Sequence, residues 1–586
     1  MYHSQRYQVV LVTWILLLLI ACSSGTNRMT SPVAPTFTST PVTQAVEGSP
    51  YSYQLTVSGS AATFSLNSGP VGATLSGDTI SWTPTAQQSR VPNTFTVTAT
   101  ASGGASATQS WTVTPSGTIR ISWIDTLWNE SGGSTNRAFD WTPVNSYVAA
   151  LVPQPDGSFT TLYGSIGANG EFDIPNVPAG YYWLRIAERG EYWTSSSTFD
   201  MGGDYFFPGN TVAATTSTTH INYSFTSLDP TLASGLLEFD TFDAPTPHDQ
   251  ASTIAGSTTF FGGSVINSNI DFSSMKNGFV MQYEPATFGA TAGYVLGPEL
   301  TLSNLSLTSG AFNTISGALN PTVPTSLHLS VQSSAWMPLL DRIAPTTPTA
   351  TGDGFSLAIQ PYIAADGPNV SSSSQIPLIW TNSGHAVGLT PGTCSFNTSL
   401  TTDIDGTVQY GDPFPAAWRR IFRVCQNASI VVPVPGTSQT QSISLINDQR
   451  AALPTATVKP LLSGVLNLKI NGTDLFTAST VNSAAVTLAW DPPAIGTPFG
   501  YNVAIMTPTA SQSLNGTVIY LYSPAAMLST AKTSITLPPN VLGPGRTYLF
   551  VITSLADGRA NMETSPHRSS LPIANADVLS APITTN

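Results

Sequence analysis

Apolar and polar residues alternate with a period of two along much of this chain, in short runs cut by glycine and proline. Tyr51 to Gly59 reads YSYQLTVSG, Thr94 to Gly103 reads TFTVTATASG, and Thr108 to Pro115 reads TQSWTVTP. A period of two places every second side chain on one face of an extended backbone, so each run predicts a half-buried strand. The same texture recurs further on in TLSNLSLTSG, SLHLSVQSS and ASIVVPVPG. The expected fold class is all-β, as tandem β-sandwich domains.

One run breaks the pattern. Val9 to Ile20 is nearly all apolar, follows a start whose side-chain cation is Arg6, and ends at LIACSSG. Its 12 residues fall short of the roughly 20 that span a bilayer, so it reads as a secretory signal rather than a transmembrane helix. Leu19-Ile20-Ala21-Cys22 resembles the lipobox of bacterial lipoproteins. That resemblance implies cleavage before Cys22, acylation of its thiol and a lipid anchor in the membrane. Ser23 follows, with no Asp there, which in that family implies the outer membrane. Residues 1–21 are thus expected to be the signal peptide and 22–34 a polar tether.

Composition sharpens the β reading. Charged residues make up 9% of the 586, against roughly 25% in ordinary globular proteins. Long helices need Ala, Glu, Lys and Arg, and exposed helix faces need charge. The net charge is −13, from 19 basic and 32 acidic residues, with no basic block, so the clustered cations that nucleic acid demands are missing. Of the three cysteines, Cys394 and Cys425 remain in an exported chain. They are expected to form a disulfide closing a loop of about 30 residues.

The chain divides into four expected modules. In residues 35–115, PTFTSTPVTQAVEGSPYSYQLTV, GPVGATL, ISWTPT and QSWTVT resemble the immunoglobulin-like or cadherin-like modules of bacterial surface proteins, which implies a sandwich with Trp82 in its core. Residues 118–228 carry GANGEFDIPNVPAGYYWLRI, where Asn169-Gly170 suits a type I′ hairpin turn and Pro178-Ala179-Gly180 a second turn. This string resembles the carboxypeptidase regulatory-like (transthyretin-type) domain, an accessory sandwich. Residues 229–460 are a β-rich region of one large or two small sandwiches, similar to no family. In residues 461–583, AAVTLAWDPPAIGTPFGYNVAIM and the LGPGRTY run resemble a fibronectin type III domain. Trp490 would lie in an early strand, and Leu542 and Tyr548 in a tyrosine corner whose hydroxyl bonds back to the backbone.

Candidate chemistry is thin. The histidines are scattered, and no HExxH, GxSxG or GxxxxGK[ST] spacing occurs. Glu238, Asp240, Asp243, His248 and Asp249 form one polar cluster. Asp403, Asp405 and Asp412 form another, whose DIDG start resembles a calcium loop but lacks the later ligands. The expectation is no catalytic residue and no cofactor, with a structural calcium as the one metal weighed. Trp123, Trp128, Trp141, Trp183 and Trp193 either fill a core or present a surface that stacks on sugar rings. The function expected is a non-catalytic, lipid-anchored envelope protein presenting sandwich modules for binding or adhesion, with a glycan or a surface protein as ligand. The alternative is a carbohydrate-active enzyme or glycan-capture component, with residues 229–460 as its active domain.

Overall fold

The computed structural model describes residues 33–586 apart from 60, 129–132, 187–188, 207–211, 231–235, 241–247, 253–255, 275, 290, 342, 346–353, 363–377, 382–401, 484–485 and 513–517. Strands dominate, and the chain is a series of β-sandwiches. It separates into two compact units. Of the described residues, the first holds 33–44, 49–83 and 92–113, and the second holds 45–48, 84–91 and those from 114 onward.

In the first unit, the Asn93–Ala101 strand lies between Ala62–Ser68 and Ser106–Val113. A second sheet joins Tyr51–Gln54, Thr79–Trp82 and Thr74–Ser76. Phe95 stacks on Trp111 with ring centroids 5.1 Å apart, and Trp82 meets Phe95 edge-on at 5.5 Å. The Trp111 indole N–H donates to the Tyr51 hydroxyl. Trp82 is buried. The outward face is built from hydroxyl pairs: Thr94 with Thr112, Thr96 with Ser110, and Thr98 with Thr108. Such cross-strand pairs support a sheet without charge, which accounts for the threonine-rich, charge-poor composition.

The second unit opens with a two-sheet module. Gly117–Ser122 pairs with Phe172–Val177 and Thr198–Asp200, while Ala149–Pro153 lies between Phe159–Tyr163 and Tyr182–Ile186, with Gly190–Thr194 beyond. The 172–177 and 182–186 strands therefore belong to different sheets, and the 178–180 turn carries the chain across the core. The expected type I′ turn is also replaced. Gly170 alone takes a positive φ (76°), and its N–H bonds the Gly167 carbonyl. A type I′ turn needs positive φ at both central residues, and Asn169 does not take one.

The expected module boundary at 228 falls after the Val212–Thr226 strand. That strand pairs with Thr259–Ile270 on one side and Phe312–Ala318 on the other. This three-stranded sheet packs through Ile221, Tyr223, Phe225 and Ile315 on a second sheet bearing Leu237, Phe239 and Val280. A second core follows around Trp336, Phe355, Leu357, Ile379 and Phe422. Residues 229–460 thus contribute to these two cores and to a third apolar cluster, in which Ile430, Val432 and Leu445 pack with Tyr522, Leu549 and Leu579 of the C-terminal module.

In the C-terminal module, Leu466–Ile470, Thr487–Asp491 and Ser534–Thr536 face a sheet of Val518–Thr530, Gly500–Gln512, Thr547–Ala556 and Ile573–Leu579. Trp490, Leu542 and Tyr548 are buried in the core between them. The Gly543 N–H donates to the Tyr548 hydroxyl at 2.8 Å.

The modules of the second unit share a ladder. Gly190–Thr194 pairs in parallel with Val518–Thr530, and Ile573–Leu579 pairs antiparallel with Thr440–Ala452. The result is a hydrogen-bonded sheet of 18 strands in which the C-terminal module lies between the 149–194 sheet and the central region. The 557–570 loop adds a polar latch. Arg568 donates to Asp200 at 2.8 Å and to the Ile124 carbonyl at 2.8 Å, and Arg559 pairs with Asp204.

Candidate functional site

The three-stranded sheet of the first central sandwich has one face in the core and one in solvent. Alternation decides which residues go where. Ile221, Tyr223 and Phe225 point inward, so His220, Asn222 and Ser224 point outward. Register then fixes their neighbours. Across the antiparallel edge, Phe261, Gly263 and Val265 lie opposite Ser224, Asn222 and His220. Across the parallel edge, Ser316, Thr314 and Phe312 lie opposite the same three residues.

The outward face is therefore a grid of nine positions. Phe261 occupies one corner, 73% exposed, and Phe312 the diagonal corner, 75% exposed. Two strand spacings and four residues of rise place them about 16 Å apart. The His220 ring stacks on Phe312, with centroids 4.2 Å apart and planes 13° from parallel. Between the rings lie Asn222, Thr314, Ser224 and Ser316, which supply amide and hydroxyl groups and no charge. A single exposed phenylalanine is ordinary. Two of them, diagonally opposed across a polar, uncharged field on a rigid sheet, give apolar faces for stacking with donors and acceptors between.

The residues singled out in the sequence go elsewhere. Trp123, Trp141 and Trp183 are buried in cores and Trp193 packs half-buried against one, while Trp128 is half-buried with its indole N–H donating to Asp204 at 3.4 Å. Asp403 accepts from the Ser333 N–H and hydroxyl at 2.8 and 2.7 Å. Asp405 faces His328 at 3.4 Å. Asp412 takes two donors from Arg420, each at 2.7 Å. The three acids are held by three separate partners. Among the described residues, no group of three or more His, Cys, Asp or Glu side chains is placed to hold a metal ion.

The Leu236–Asp240 and His248–Ser252 strands pair with each other. The side chains of Glu238, Asp240, Asp243, His248 and Asp249 lie outside the described residues, as do Cys22 and Cys394. Cys425 is buried on the Arg419–Pro433 strand. Sequence reading missed Phe261 and Phe312 because TTFFGGSV offers two adjacent phenylalanines. Only the register against 220–224 tells which one faces water.

A family model described as "Putative Ig domain" matches residues 34–116. Among curated proteins none matches the chain. Solved structures align over long stretches at low identity. One is SGBP-B of the Bacteroides ovatus mixed-linkage glucan utilization locus, in complex with a mixed-linkage heptasaccharide. It is 12% identical, covers 64% of this chain and 92% of its own, and has a TM-score of 0.13. A protocadherin gammaB7 EC3-6 cis-dimer structure is 8% identical, with 94% and 100% covered and a TM-score of 0.14. A Ca2+-stabilized adhesin that helps an Antarctic bacterium reach out and bind ice is 11% identical, with 86% and 95% covered and a TM-score of 0.12. TM-scores this low mark no common arrangement of whole chains.

Proposed function

We propose that this chain is a non-catalytic cell-envelope protein, anchored through lipid on Cys22, that binds a glycan on the outward face of its first central sandwich. The observation that carries the reading is the pair of exposed rings, Phe261 and Phe312, set diagonally across Asn222, Thr314, Ser224 and Ser316. The apolar faces of sugar rings stack on such aromatics, and their hydroxyls exchange hydrogen bonds with amide and hydroxyl side chains. A face with no carboxylate, lysine or arginine among its nine positions suits a neutral polysaccharide. Its span of about 16 Å suits several sugar units rather than one.

The other modules are read as supports. The 2.8 Å bond from Gly543 to Tyr548 supports a fibronectin type III reading of residues 461–583. The regulatory-like reading of residues 118–228 leaves that segment an accessory. A disulfide from Cys394 to the buried Cys425 would close part of the central region. The lipobox resemblance favours the outer membrane.

Retention on immobilised neutral polysaccharides tests the proposal. The protein is expected to be retarded on at least one of them, with no reducing sugar released, and Phe261→Ala/Phe312→Ala is expected to elute unretarded at an unchanged melting temperature. Turnover of the polysaccharide would favour the enzymatic alternative. Retention that survives the double substitution would place binding elsewhere on the molecule.

A further inference from the structure

The outward face of the three-stranded sheet has a shape that its register sets. Along the Thr259–Ile270 edge strand, Phe261, Gly263 and Val265 share the outward side. Phe261 is 73% and Val265 59% exposed, and Gly263 between them carries no side chain. Four residues of rise put the two apolar residues about 13 Å apart, with a notch at the glycine. Register continues the notch across the sheet. Asn222 and then Thr314 stand beside Gly263, so a trough floored by these three residues crosses all three strands. Phe261 stands on one bank, beside the short Ser224 and Ser316. Val265, His220 and Phe312 form the other bank, where the histidine ring stacks on the phenylalanine.

Two observations mark the trough as a place for a ligand. The first is Gly263. Its backbone lies outside the left-handed region that favours glycine, so conformation does not require the missing side chain. Glycine inside a strand weakens it and often marks a site where a ligand or another backbone approaches closely. A Cβ there would lie 3.2 Å from Asn222 Oδ1, so the amide oxygen of Asn222 sits at the notch. The second is the state of the polar side chains. In the first unit, facing hydroxyls bond to each other across the strands, as Thr94 does with Thr112 and Thr96 with Ser110. Here Asn222 lies opposite Thr314 and Ser224 opposite Ser316. Among the described residues, no hydrogen bond reaches any of these four side chains. Their donors and acceptors are left to water, which sugar hydroxyls replace without a net loss of bonds.

We propose that the trough takes an extended, unbranched glycan chain lying across the strands, and that Gly263 is the position that selects it. The inference rests on the glycan reading of this face and names the class of chain. A chain entering at the notch passes Phe261 on one flank, crosses the Asn222 amide, and leaves over Thr314 with Phe312 on the other flank. That path accounts for the two rings standing at opposite corners, since each covers one side of the chain at one end. A branch on either flank would meet Phe261 or the bank of Val265, His220 and Phe312.

Calorimetry on the full chain tests this with cellohexaose and mannohexaose, set against a xylose-branched glucan and a galactose-branched mannan oligosaccharide of the same backbone lengths. An unbranched chain is expected to bind at least about tenfold more tightly than its branched counterpart. Gly263→Val fills the notch, leaves both rings in place, and is expected to weaken the unbranched ligand at least about tenfold. Its melting temperature is expected to hold, because valine favours strands and the atom nearest its Cβ ends a movable side chain. The comparison of ligands on the parent protein needs no variant. Equal affinity for the branched chain, or unchanged affinity in folded Gly263→Val, overturns the trough; the glycan face stands if Phe261→Ala/Phe312→Ala still abolishes binding. Binding that survives the loss of both rings, or no binding of either hexasaccharide, overturns the face and the trough together.

Discussion

Tyr548 shows how much one hydroxyl can hold. Its ring is 2% exposed in the C-terminal core, and its oxygen accepts from the Gly543 N–H. Tyr548→Phe keeps the ring and orphans that N–H, so urea unfolding should show a loss of about 1–2 kcal/mol. His567 is a second such residue. Burial first, then the nearby Arg189 cation, hold its pKa down to about 4, against the opposing pull of Asp125 and Asp200. The ring shares a 2.8 Å hydrogen bond with the Tyr192 hydroxyl. An unfolded histidine titrates near ~6.5. A depressed folded pKa therefore gives stability that is full above that value and is lost as pH falls toward 4. The size is about 3 kcal/mol at most. Urea midpoints at pH 7 and pH 4 should differ less in His567→Gln than in the parent protein, and an identical difference would remove His567 from the latch. The Gly543–Tyr548 bond is local, both partners lying within LGPGRTY. The histidine's contacts are not, because its partners are hundreds of residues away in the chain.

Single strands carry two kinds of information, and only one is visible in a pattern. Tyr182, Leu184 and Ile186 alternate as expected and enter the core of their own module. Trp183, between them, enters the core of the C-terminal module and donates to the Thr536 carbonyl at 3.0 Å. The strand is buried on both faces, so alternation gave its extended form but not its surroundings. The 172–186 string was legible as two strands and a turn. That the strands cross between sheets was not, since a hairpin and a crossing share the same local residues. The junction depends on Gly190, whose φ is 103° and where a Cβ would come 2.6 Å from the Met527 carbonyl oxygen. Gly190→Ala should cost about 1–3 kcal/mol, read as a lowered melting temperature. An unchanged value would mean that the parallel pairing of Gly190–Thr194 with Val518–Thr530 does not form.

Across the second unit, chain order and spatial order differ. The C-terminal module is last in sequence, yet its strands join the 149–194 sheet to the 440–452 strand. A chain ending at 459 would leave Trp183 without its core and two strand edges unpaired. It should melt well below the full chain and self-associate, which calorimetry and light scattering would show. Trp82, Trp490 and Tyr548 were singled out only through resemblance to known families, whereas the all-β class was foreseeable from alternation. The continuous ladder was not, because edge-to-edge pairing leaves no periodic signal. The proposed binding face escaped for the same reason, since the grid exists only once three distant strands come into register. Calorimetric titration of a neutral oligosaccharide into the parent protein, Phe261→Ala, Phe312→Ala and the double variant tests it most directly. Each single substitution should weaken binding by about 1–2 kcal/mol, and the double variant should show no heat while still folded. Unchanged affinity in the folded double variant would contradict the account.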